Sequence, residues 1–101
     1  MMKKIETKAR PFKLDNIKDR LSEIGIEAIS VTDIRSSHGS SSNDKSYLTE
    51  DYFVEFLPQI KVEVIVEDGK VDEVVAALQK ASDDGDPAES KIYIYNIEQE
   101  F

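Results

Sequence analysis

Apolar residues recur along this chain with two different periods, and the switches between them mark out its elements. Leu14, Ile17, Leu21 and Ile24 fall three and four apart, with Asp15, Lys18, Asp19 and Glu23 on the remaining faces, which predicts an amphipathic helix over 14–24. Gly25 follows the last apolar residue, where a helix C-terminal signal belongs. Ile60, Val62, Val64 and Val66 alternate with Lys61, Glu63 and Ile65, and this period of two predicts a strand over 59–66. Weaker strand patterns run from Met2 to Ala9, around Ile5 and Thr7 and ended by Pro11, and from Ala28 to Arg35, with Ile29 and Val31 on one face and Ile34 on the other. Asp68 and Gly69 form a turn able to cap a second helix, whose expected buried stripe is Val71, Val74, Val75 and Leu78, through about Ala81. Lys91 to Ile97 alternates again and reads as the last strand.

The order β-α-β-β-α-β predicts an α+β, ferredoxin-like domain: a four-stranded antiparallel sheet with both helices on one face. The opposite face would carry Lys61, Glu63, Ile65, Tyr93, Tyr95 and Ile97. Its aromatic and aliphatic members favour cover by other copies of the chain, against the alternative of a half-polar solvated face. One domain over 1–101 accounts for the whole length, with a long polar connection at about 36–53 between the second and third strands. Compact domains rarely keep so long a structureless loop unless it has a task, so function is expected on this segment.

Composition narrows the field. Thirteen basic against 21 acidic residues give a net charge of −8, which argues against nucleic-acid binding and against attraction to anionic lipid. Absence of cysteine excludes disulfides and thiolate metal sites. Apolar runs fall well short of the roughly 18 residues that span a bilayer, so no direct membrane insertion is expected. The start of the chain lacks the apolar core of a secretory signal, and a cytoplasmic location is the expectation.

Candidate chemistry is sparse. His38 is the single histidine; with Asp44 or Asp51 it makes weak metal-site evidence, and a solvated loop histidine is the plainer reading. Asp83, Asp84 and Asp86 lack the spacing of an EF-hand loop. No nucleophile–base pair is evident, and the closely spaced carboxylates are expected on turns and helix surfaces. The expectation is a protein that is not an enzyme and requires no cofactor.

Three separated segments resemble the PII signal-transduction proteins in order and spacing: "KKIETKARPFKLDNIKDRLSEIGI" with its turn Arg10-Pro11-Phe12-Lys13-Leu14-Asp15, "VTDI" at 31–34, and "DYFVEFLPQIKVEVIV" at 51–66. The resemblance implies a homotrimer with adenine nucleotides in clefts between subunits. It also implies a T-loop, here about 36–53, that docks on a membrane transporter, enzyme or regulator. Carried over position by position, it marks Ser30, Ser36, Gly39, Glu63, Ile65, Ala88, Ser90 and Lys91 as nucleotide-binding, and Ser40, Tyr47 and Tyr52 as partner-facing loop residues. Tyr52 matches a loop tyrosine that some members have uridylylated; by its own surroundings it is a strand-edge aromatic.

The departures from the family pattern carry expectations of their own. Ser40 and Gln59 stand where members that sense 2-oxoglutarate have a glutamine and a lysine, so that ligand is not expected. Pro87 removes a backbone donor from the B-loop, and Asp83, Asp84, Asp86 and Glu89 oppose phosphate. No counterpart of the family's C-terminal arginine pair is expected. These losses favour ADP or AMP over ATP. Bicarbonate, paired with a nucleotide in some PII-like proteins of carbon metabolism, is one candidate co-effector. A nucleotide-independent adaptor and a metal-responsive trimer are the alternative readings.

Overall fold

The computed structural model describes residues 1–37, 56–81 and 91–101. Six elements follow in the order β1 (Met2–Ala9), α1 (Leu14–Glu23), β2 (Ser30–Ser37), β3 (Phe56–Glu67), α2 (Val71–Ala81) and β4 (Ile92–Asn96), with 3-10 turns at Pro11–Lys13 and Asp68–Lys70 leading into the helices. The sheet order is β2-β3-β1-β4, and each neighbouring pair is antiparallel. This is the α+β arrangement expected from the sequence.

Period-2 alternation places Ile60, Val62, Val64 and Val66 under the helices, all buried, and Ile5, Thr7 and Ala9 join them from β1. Ile17 and Leu21, one helical turn apart, bury against this layer, with Leu14 and Ile24 packed at its margin. On α2 the buried stripe is Val74, Ala77, Leu78 and Ala81 rather than the expected set containing Val75. Residue 75 turns about 100° away from Val74, and the small Ala77 and Ala81 fill the contact face instead.

Side chains tie the helices end to end. Asn16 Nδ2 donates to the Ala81 carbonyl at 3.2 Å, and Lys70 Nζ donates to the Ile24 carbonyl at 2.9 Å. The start of α1 therefore lies beside the end of α2, and the reverse, so the pair runs antiparallel. Both bonds satisfy carbonyls that a helix end leaves unpaired. Gly25 takes φ +86°, the left-handed turn that releases the chain from α1 toward β2.

Several boundaries move from their expected places. α1 stops at Glu23, with Ile24 as its cap. β2 begins at Ser30, not Ala28, and runs through Ser36 and Ser37, because its pairing with β3 continues to Ser37 opposite Phe56. β3 extends the expected 59–66 in both directions, and β4 is one residue shorter at each end than 91–97. Ladder pairing, which depends on the partner strand, decides these ends rather than local pattern.

Candidate functional site on the open sheet face

The face away from the helices is built from Met2, Lys4, Glu6 and Lys8 of β1, the odd-numbered residues of β3, and Ser30, Thr32 and Ile34 of β2. Tyr93 and Tyr95 of β4 complete it, opposite Glu6 and Lys4. Ile65, Tyr93 and Tyr95 stand 52%, 48% and 43% exposed, so this face keeps its apolar members uncovered in the single chain, as expected from the alternation.

A cavity of about 330 Å³ opens on this face, lined by Lys4, Ala28, Ile29, Ser30, Glu63 and Ile65. It brings together Ser30, Glu63 and Ile65, three of the residues singled out in the sequence. Register explains the meeting: Ser30 lies directly opposite Glu63 across the β2–β3 ladder, and Ile65 is the next open-face residue of β3. Ala28, Ile29 and Ile65 supply apolar wall; Ser30 and Glu63 supply a hydroxyl and a carboxylate.

Lys4, which sequence reasoning missed, is the centre of the charge arrangement. Its Nζ lies 3.1 Å from Glu63 Oε2, 3.9 Å from Glu6 Oε1, and 4.7 Å from the centre of the Tyr95 ring. The hydrogen bond to Glu63 raises the Lys4 pKa above its ordinary value, and the charges of Glu63 and Glu6 reinforce that against the opposing effect of desolvation. Glu6 and Glu63 face each other directly across the β1–β3 ladder. This corrects the expectation that close carboxylates lie only on turns and helix surfaces. Like charges in direct register oppose pairing, and the shared ammonium of Lys4 offsets that repulsion. The signal for Lys4 was weak, since its position became informative only once β1 was known to run between β3 and β4.

A second, smaller cavity of about 240 Å³ lies where Pro11 meets the strand ends, lined also by Asp33, Ile34, Arg35, Pro58 and Gln59. Gln59 is nearly buried there, which favours an uncharged amide over an ammonium at this position. Lys91 sits just before β4, exposed, its carbonyl accepting a hydrogen bond from the buried Thr7 hydroxyl at 2.9 Å. Ser36 is placed in the β2 backbone opposite Leu57. Gly39, Ser40, Tyr47, Tyr52, Ala88 and Ser90, as well as His38 and the acidic run Asp83–Asp86, lie outside the described residues. Among the described residues no three His, Asp or Glu side chains gather as metal ligands, and no helix is long and apolar enough to cross a membrane.

Comparison with known proteins decides the family. The profile described as nitrogen regulatory protein P-II matches residues 2–100. The chain belongs to the nitrogen regulatory protein P-II family. It is 39% identical over 98 residues to the P-II protein of Rhodospirillum rubrum, covering 97% of this chain and 88% of that one. It is 32% identical over 96 residues to P-II 1 of Escherichia coli, covering 95% and 86%. Among solved structures, Arabidopsis thaliana PII bound to citrate superposes with a TM-score of 0.74 at 21% identity, over 95% of this chain and 74% of that one, which shows the shared P-II fold. The P-II relatives are named as regulatory proteins, so the chain is a member of a signal-transducing family.

Proposed function

We propose that this P-II family member is a non-enzymatic, cytoplasmic signalling protein that binds an adenine nucleotide on the open sheet face and reports it through the connection between β2 and β3. One observation carries this reading: Ser30, Glu63 and Ile65 converge, with Lys4, on a single cavity of about 330 Å³, within the range of about 300–1,000 Å³ usual for small-ligand sites. Its apolar wall suits the face of a heteroaromatic ring, and its carboxylate and hydroxyl suit exocyclic amine and sugar hydroxyl groups. The ligand is ADP or AMP in preference to ATP, because the acidic run Asp83–Glu89 disfavours a longer phosphate tail.

Exposed Ile65, Tyr93 and Tyr95 support assembly through the same face, and a homotrimer would close the cavity with a neighbour's surface. Ligand occupancy then biases the loop that meets a transporter or metabolic enzyme. Bicarbonate is the co-effector this reading carries, because Gln59 lacks the cation a dicarboxylate would need. Calorimetry with AMP, ADP and ATP on protein of measured mass tests the nucleotide claim: saturable heat from ADP or AMP by a trimer is expected, and no heat from any of the three refutes it. Bicarbonate must change ADP affinity, and ADP must change bicarbonate affinity by the same factor, if the two are coupled.

A further inference from the structure

Three lysines stand side by side across the open face at one level of the sheet. Lys8 of β1 lies directly opposite Lys61 of β3, and Lys61 is flanked on its other side by Thr32 of β2. On the β4 side, Thr7 pairs with Ile92, so one further step along the same antiparallel register sets Lys91 beside Lys8. The Thr7 hydroxyl bond to the Lys91 carbonyl fixes that step. Strand spacing makes the row Lys61–Lys8–Lys91 roughly 10 Å wide.

This arrangement is costly for the free chain. Like charges directly opposed across a ladder are destabilising. None of the three ammonium groups joins an ion pair among the described residues, whereas Lys3, Lys4 and Lys70 all do. The molecule carries 21 acidic residues, so the lack of carboxylate neighbours at this level is a matter of placement. A concentrated, unpaired positive row in a chain of net charge −8 calls for an anion of several charges.

Its position names the anion. The rows of the open face follow one another in order: Ile65 with Lys4, then Ser30, Glu63 and Glu6, then Thr32, Lys61, Lys8 and Lys91. Successive rows are roughly 7 Å apart. A nucleotide with its base on Ile65 and its sugar at Ser30 and Glu63 lays its phosphates over the third row. We infer that Lys8, with Lys61 and Lys91, forms the phosphate-binding row of the site, and that its three positive charges select a nucleoside diphosphate. This deepens the nucleotide reading above and rests on it. Lys8 is the new element, since the sequence alone pointed only to Lys91 for this task.

The test compares Lys8→Gln and Lys61→Gln with the parent chain, and with Lys80→Gln on the exposed side of α2 as a control. Probes are ADP, adenosine and inorganic pyrophosphate, with mass measured throughout. The expected result is an ADP dissociation constant raised about ten-fold by each row substitution. Adenosine binding should be unchanged, Lys80→Gln should be silent, and the unliganded melting temperature should be equal or higher once like-charge repulsion is relieved. If the parent binds ADP and both row variants bind it equally well, the row is overturned while the nucleotide reading stands. If the variants change oligomer mass but leave ADP affinity alone, a second copy covers the row and the inference is equally overturned. If the parent binds no adenine nucleotide, that reading fails, and pyrophosphate decides the row: binding lost in Lys8→Gln supports it, and no binding by the parent overturns it.

Discussion

Gly25 and Gly69 offer a matched pair for separating backbone strain from packing. Both glycines have open space where a Cβ would go, with no heavy atom within 4 Å, so neither Gly→Ala change creates a clash. They differ in backbone conformation: Gly25 holds φ +86°, and Gly69 lies in the 3-10 turn Asp68–Lys70 outside the left-handed region. Alanine lowers the conformational entropy of the unfolded chain, which favours folding by about 0.4–1 kcal/mol at either site. At Gly25 alone, alanine also meets the left-handed penalty of about 1–2 kcal/mol. The common unfolded-state contribution cancels between the two variants, so their difference measures strain by itself, about 1–2 kcal/mol. For a domain of this size each kcal/mol moves the melting temperature by about 4–8 °C. Gly69→Ala should therefore melt at or above the parent and Gly25→Ala below it, separated by at least about 4 °C in circular-dichroism melts at one protein concentration. Urea titrations should give equal slopes, showing that compactness is unchanged. Equal melting temperatures, or a lower one for Gly69→Ala, would refute the assignment of positive φ to Gly25. Because Gly25 aims the chain at Ala28, Ile29 and Ser30, Gly25→Ala should also weaken ligand binding at the cavity those residues line.

Two further outcomes follow from the packing and charge of the same face and core. Leu21→Ala empties a fully buried position of α1 and should cost about 2–5 kcal/mol, seen as a melting temperature lower by at least about 8 °C; a smaller fall would mean that α1 does not seal the core. Lys4 holds its proton more tightly in the folded chain than in the unfolded one, so its contribution to stability is complete below about pH 10.5 and is lost as pH rises through the higher folded value. Denaturant titrations between about pH 9 and 12 should show the parent losing more stability than Lys4→Met, and equal losses would refute the coupling.

The candidate site was partly legible before folding. Ser30, Glu63 and Ile65 were identified by resemblance, and all three line one cavity. Glu63 and Ile65 could be placed on a common face by alternation alone, since residues two apart in a strand share a side. Lys4 and Lys8 escaped notice because the first strand has a weak pattern and is polar on its open side. Val75 was misplaced because a stripe of bulky residues looks more apolar than one that includes alanines, although the alanines permit the closer helix approach.

Taken alone, the sequence determined the kinds and order of the elements, because the periods of two and 3.6 are properties of a short stretch of backbone and need no partner. It also determined which face of β3 is buried and where α1 ends at a glycine. Only the tertiary structure decided which strands are neighbours, how far each ladder runs, and which charges stand opposite one another. Setting β1 between β3 and β4 put Lys4 between Glu6 and Glu63, and brought Lys8 level with Lys61 and Lys91. Such meetings depend on register between segments more than fifty residues apart, which is fixed when the whole sheet buries its apolar side at once.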